Sequence, residues 1–191
     1  MPDSDYYLSR RRSLFPLILT ILIIHIVFAF TTFFLMYFMA MFLSESAAQT
    51  VGSILSILLF FAMMYTEMWR SGQQDRNLMN FGHLADDRFR GLKASLLSQI
   101  PGFLLSVLAL ISRLTDSLST FFVSAYKLFY APFVDLIWFA EQATPLLFPL
   151  FTLITPVVVH IGYLLGYKGY AVSDKFYKKN TNNDIREKKF K

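Results

Sequence analysis

From Leu14 to Leu43 the chain reads LFPLILTILIIHIVFAFTTFFLMYFMAMFL, thirty residues without Asp, Glu, Lys or Arg. As one helix this run would be about 45 Å long. That exceeds the roughly 30 Å hydrocarbon core of a bilayer, so the helix is expected to tilt or protrude. Ser13 is placed to cap it, and Pro16 falls in the first turn, where its missing N–H costs nothing. Three more apolar runs follow: Thr50 to Trp69 after the short polar link SESAAQ, Ala94 to Leu114, and Thr144 to Tyr167. Each is long enough to span. Tyr65 and Trp69 suit the membrane interface. Pro101 and Gly102 lie near the start of the third run and predict a kink.

Between the third and fourth runs lies LSTFFVSAYKLFYAPFVDLIWFAEQ. It has the length of a span but carries Lys127 and Asp135 and is broken by Pro132. Ser117, Thr120, Ser124, Lys127 and Asp135 recur at helical spacing and form one polar stripe. That pattern predicts a segment over 117–142 that lies in the interface or dips partway into the bilayer, stripe toward water. The fold class is therefore all-α: a polytopic membrane protein with four transmembrane helices plus one interfacial or re-entrant amphipathic segment.

Charge sets the expected orientation. Sixteen of the eighteen Lys and Arg residues lie before the first run, between the second and third, or after the fourth. Arg113 and Lys127 are the two exceptions. By the positive-inside bias, four spans put both termini in the cytoplasm, with a cytoplasmic N-terminus over 1–13, a cytoplasmic loop over 70–93 and a basic tail over 168–191. A fifth crossing would place the tail outside. Arg10, Arg11 and Arg12 before an apolar stretch resemble a signal peptide, but the run is about twice the usual apolar length and is read as a retained helix.

Composition removes several chemistries. With no Cys in the chain, disulfides, thiolate metal sites and cysteine nucleophiles are excluded. No phosphate loop, nucleophile elbow or H-E-x-x-H motif occurs, and nothing calls for a cofactor. The segment GHLADDRFRGLK offers His83, Asp86 and Asp87 as metal ligands or an acid–base set. The plainer expectation is that Asp86 caps the third helix, Asp87 favours its dipole, and Arg88, Arg90 and Lys93 anchor it at headgroups.

Ionisable and amide groups inside apolar runs are costly and point to function more directly. His25, Glu67, Gln99 and His160 all fall in the cytoplasmic halves of their runs, one from each helix. They could form a ligand or proton site, or simply hydrogen-bond the helices together. Glu67 can also pair with Arg70 one turn on. Gly52 with Ser56, and Gly162 with Gly166, are small-xxx-small pairs that permit close helix packing, within the chain by default or with a second subunit.

SGQQDRNLMNFGHLADDRFRGLK, then SQIPGFLL, and later IGYLLGYKGYAVSDKFYKK resemble stretches of small multi-pass membrane proteins of Gram-positive bacteria. The resemblance covers roughly Ser71 to Lys179. It implies a bacterial plasma membrane and carries across neither an activity nor site residues.

Three functions remain. The first is a non-enzymatic integral membrane component, an accessory or assembly subunit whose basic loop and tail meet anionic lipid headgroups and a protein partner or a second copy, with no specific nucleic acid. The second is a small homo-oligomeric transporter or channel using His25, Glu67, Gln99 and His160. The third is a membrane enzyme acting at the cytoplasmic face through His83, Asp86 and Asp87.

Overall fold

A computed structural model describes residues 13–115 and 120–170. Arg10, Arg11 and Arg12, Ser117 and the tail beyond Tyr170 lie outside the described residues. All regular structure among those described is helical: α1 Phe15–Ala40, α2 Glu45–Asn80, α3 Arg90–Ser98, α4 Ile100–Thr115, α5 Phe121–Phe129, a 3-10 turn Ala131–Phe133, α6 Val134–Ala143, a second turn Pro145–Leu147, α7 Phe148–Phe151, and α8 Ile154–Lys168. Three stretches, Phe15–Ala40, Glu45–Asn80 and Phe148–Lys168, are long and apolar enough to cross a membrane. The number reaches five if the bent pairs α3–α4 and α5–α6 each count as one.

The apolar surface faces outward as well as inward. Only 33% of the most apolar window of α1 is buried, although nearly every residue there is hydrophobic. Phe30, Phe33 and Phe34 are exposed, as are Leu58 of α2, Leu104 of α4 and Ile161 of α8. Water would penalise such a surface heavily, whereas lipid accepts it. The inward stripe of α1 is Leu17, Ile21, Ile24, His25, Ala29 and Thr32, the three- and four-residue spacing of one helical face. Thr32 and Ser56 share a hydrogen bond across α1 and α2.

α2 is longer than the expected second span. It continues past Trp69 to Asn80, so the segment read as loop 70–93 is helical at both ends and only residues 81–89 connect the helices. Its buried stripe explains this: Phe60, Met64, Met68, Gly72 and Asp75 recur every three or four residues, and the helix persists because that face stays packed. Ser13 is not the helical cap of α1, whose cap position is Leu14. Its hydroxyl still accepts the Phe15 N–H at 3.2 Å.

The expected kink is present and marks a full break. α3 and α4 meet at Gln99 with a bend of 44°, because Pro101 supplies no N–H to the preceding turn and its ring crowds it. The following segment turns more sharply, with α5 and the stretch Ala131–Ala143 bent by 97°. Its turn is deep in the protein, since Tyr130, Ala131 and Phe133 are all buried.

Helix direction follows from side-chain neighbours. Gly162 of α8 faces Tyr65 and Met68 of α2, Gly166 faces Trp69, and Gly72 of α2 faces Tyr163 and Tyr167. Residue numbers rise together, so α2 and α8 run parallel. The end of α4 meets the end of α6 through Arg113 and Glu141, and the start of α2 meets α6 through Gln49 and Asp135, 2.7 Å apart. The segment 121–143 therefore begins and finishes at the end of the bundle opposite the 81–89 loop. Of the residues expected on a stripe turned to water, Lys127 is tied to Glu141, while the bond of Asp135 to Gln49 is exposed.

Candidate functional site

Two polar clusters lie inside the bundle, one at the loop end and one midway. The loop-end cluster is built on Asp75, which α2 carries one helical turn past Gly72 and buries completely. Arg90, in the first turn of α3, ion-pairs with Asp75 Oδ2. Tyr163 of α8 donates its hydroxyl to the same oxygen at 2.9 Å. The other arm of the guanidinium, Nη2, donates to the backbone carbonyl of Ser13 at 2.9 Å. One carboxylate and one guanidinium thus join the start of α1 to α2, α3 and α8. A charged pair this deep is tolerated because the carboxylate also accepts from Tyr163 and the guanidinium also donates to Ser13.

Sequence reasoning placed Arg90 at the headgroups and did not single out Asp75 or Tyr163. The structure corrects the first point: Arg90 is buried, while Arg88 and Lys93 stay exposed. The four-residue steps from Phe60 through Met68 to Gly72, then Asp75 three later, were the available signal.

Asp86 and Asp87 do not cap α3. That helix starts at Arg90, behind Phe89, with no side-chain cap. Asp86 accepts from the Tyr167 hydroxyl at 2.6 Å and pairs with Arg88 at 3.4 Å, and Asp87 takes Lys93 at 2.9 Å. His83 is exposed. Among the described residues no three histidine or carboxylate groups converge as a metal site. The charges Asp86, Asp87, Arg90 and Lys93, with Leu14, Leu84 and Ala85, line a cavity of about 380 Å³.

The mid-bundle cluster gathers two of the four expected polar residues. His25 sits about 15 Å along α1 from Phe15, and Gln99 about 14 Å along from Arg90. Tyr130, at the deep turn after α5, touches both: its ring lies edge-on to the His25 imidazole at 5.5 Å between centroids, and its hydroxyl donates to Gln99 Oε1 at 2.7 Å. Phe129 stacks on the imidazole at 5.0 Å, and Phe60 meets it edge-on at 5.0 Å. Gly102 makes this possible. It lies three residues after Gln99 on the same helical face, and a Cβ there would collide with the Tyr130 hydroxyl. Sequence reasoning saw Gly102 as part of a kink and missed Tyr130.

The other two residues stand apart. Glu67 pairs with Arg70 at 3.1 Å in a partly exposed position. His160 stacks on Phe89, ring centroids 6.0 Å apart. Gly52 lies against Met36 of α1, and Gly162 and Gly166 pack against α2, so both small-residue pairs are occupied within the chain. A further ionic group, also absent from the sequence reading, lies at the opposite end: Glu141 of α6 holds both Arg113 of α4 and Lys127 of α5.

Comparison with known protein families, with curated proteins and with solved structures finds no match to this chain.

Proposed function

We propose that the protein is a non-enzymatic integral component of the bacterial plasma membrane, with four spans and both termini in the cytoplasm, acting as an accessory or assembly subunit of a larger complex. The observation that carries this reading is how the interior charges are used. Asp75 with Arg90, and Glu141 with Arg113 and Lys127, tie helices to one another, the arrangement expected of a scaffold that holds a fixed shape. The parallel run of α2 and α8 supports the four-span reading, because the segment between them then makes an odd number of passages, one in that reading. With that topology the 81–89 loop and the basic tail share the cytoplasmic side, where anionic headgroups attract them. Exposed Phe81 and Phe89 flank the loop and offer aromatic contacts to a partner or to the interface.

The transport reading stands second because Glu67 and His160 lie apart from His25 and Gln99. Its remaining support is the meeting of His25 and Gln99 on Tyr130. The enzyme reading through His83, Asp86 and Asp87 stands third, since both carboxylates are engaged in ion pairs.

The test is gentle extraction of a tagged full-length chain from its native membrane, followed by identification of co-purifying proteins. A stoichiometric unrelated partner is the expected result. Recovery of the chain alone or as a self-oligomer would overturn the accessory role.

A further inference from the structure

Two breaks in helical structure converge at one depth of the bundle. α3 ends and α4 begins at Gln99, and the turn after α5 reaches inward to Tyr130, Ala131, Pro132 and Phe133, all buried. Irregular backbone at membrane depth persists where protein covers it or where it lines a polar cavity, and discontinuous helices commonly frame binding sites near the bilayer midplane. What these breaks surround is polar. His25 is 1% exposed and neither ring nitrogen has a hydrogen-bond partner within the protein; Gln99 is 4% exposed and its Nε2 is likewise unpartnered. Tyr130 joins the two, its ring against the imidazole and its hydroxyl on Gln99 Oε1. Buried polar groups in native proteins are almost always satisfied, so three unpartnered nitrogens around one tyrosine point to a guest.

We propose that His25, Gln99 and Tyr130 form a binding site for water inside the bundle. The chemistry of the lining selects this guest. A neutral imidazole offers one donor and one acceptor, the Gln99 amide nitrogen offers donors, and the Tyr130 oxygen keeps acceptor capacity while donating to Gln99. A buried water needs two to four such partners. Among the described residues no carboxylate is bonded to the cluster, so a bare cation would find only neutral dipoles, and the rings of Phe60 and Phe129 lie against the imidazole. The missing side chain of Gly102 leaves room for the tyrosine hydroxyl that bonds Gln99. The assignment stands independently of the accessory-subunit role: a scaffold and a transporter could both hold it.

The competing explanation is that the imidazole N–H points into the face of Phe60 or Tyr130, a weak but real hydrogen bond. Magnetic-resonance transfer from water to histidine ring protons separates the two, using the full-length chain with labelled histidine in nanodiscs of phosphatidylethanolamine and phosphatidylglycerol. The His25 signals are assigned by their disappearance in His25→Phe. The expected result is a water cross-peak to the His25 ring in the unsubstituted protein, lost in Gln99→Leu while the His83 and His160 signals keep theirs. His25 ring protons shifted upfield by an aromatic face, with no transfer from water in the unsubstituted protein, would overturn the proposal. Because that arm needs no substitution at Gln99, the result holds even where Gln99→Leu does not fold.

Discussion

The hydroxyl of Tyr163 donates to Asp75 Oδ2 at 2.9 Å, the same oxygen that receives the Arg90 guanidinium. Both charged side chains are almost fully enclosed. Removing one charge leaves the other buried and uncompensated, which costs about 3–5 kcal/mol. Asp75→Leu and Arg90→Met alone are therefore expected to lower stability by that amount in thermal or denaturant unfolding in mild detergent. Tyr163→Phe, which removes one hydrogen bond, should cost roughly 1–2 kcal/mol. Asp75→Leu combined with Arg90→Met should regain most of the loss, because a well-packed apolar pair of similar size replaces a buried ion pair at little net cost. A double variant as unstable as the worse single one would mean that the pair organises the bundle beyond its own charges.

That cluster also shows where the sequence stops being informative. The apolar runs and the Pro101 break were legible because lipid exposure leaves no polar face to confuse the pattern, and because proline breaks a helix by its own covalent structure. Asp75 and Arg90 were not legible. Each lies in a charged, polar stretch where side chains usually meet water, and only packing against α8 turns these two inward. Tyr130 escaped for a related reason, since one tyrosine among ten carries no mark of the glutamine it will meet. His25 and Gln99 were legible only as two of four polar groups in the expected cytoplasmic halves of their runs, together with Glu67 and His160. Which of the four meet depends on helix rotation, which a single sequence does not fix.

Close packing of α8 on α2 rests on absent side chains. A Cβ at Gly166 would fall inside contact distance of the Trp69 carbonyl, and one at Gly72 would strike the backbone of Tyr163. Neither obstacle is a flexible side chain that could swing away. Gly166→Ala should therefore separate the helices and cost about 1–3 kcal/mol, the usual range for overpacking, with Gly166→Leu worse. The Trp69 indole N–H, which donates to the Tyr170 carbonyl at 2.7 Å, reports the change. Its fluorescence should shift in Gly166→Ala and stay as it was in Gly52→Ala, where the nearest atom is the flexible Met36 side chain. Unchanged Trp69 emission and unchanged stability in Gly166→Ala would contradict this packing.

Glu141 holds two cations, Arg113 and Lys127, whose side chains are 41% and 27% exposed. That exposure tempers the effect of losing the carboxylate, because water screens what remains. Glu141→Gln should lower stability by about 1–2 kcal/mol, between the exposed and the buried limits. The loss should shrink as salt rises, since partly exposed charges repel less when screened. Protease sensitivity should rise within 121–143 before the rest of the chain opens, because the carboxylate ties α4, α5 and α6 together. A uniform loss of protection along the chain would show that the segment has no local stability of its own.

The most direct consequence of the parallel α2 and α8 concerns which parts of the chain share a side. If Trp69 and Gly166 lie at one level in helices running the same way, the 81–89 loop and the C-terminal tail emerge together, and the turn after α6 emerges opposite them. The chain has no native cysteine, so single cysteines report position without background. Gln142→Cys, at an exposed position near the end of α6, should react with a membrane-impermeant thiol reagent in intact cells. His83→Cys and Ser173→Cys should react only after the cells are opened. The decisive result is the relation between the last two: His83 and Ser173 must behave alike whichever way the protein faces. Labelling of Ser173→Cys in intact cells with His83→Cys protected would require an odd number of passages between them and would overturn the four-span topology. Labelling of both with Gln142→Cys protected would keep the topology and reverse its orientation, against what the positive-inside bias leads one to expect for these basic segments.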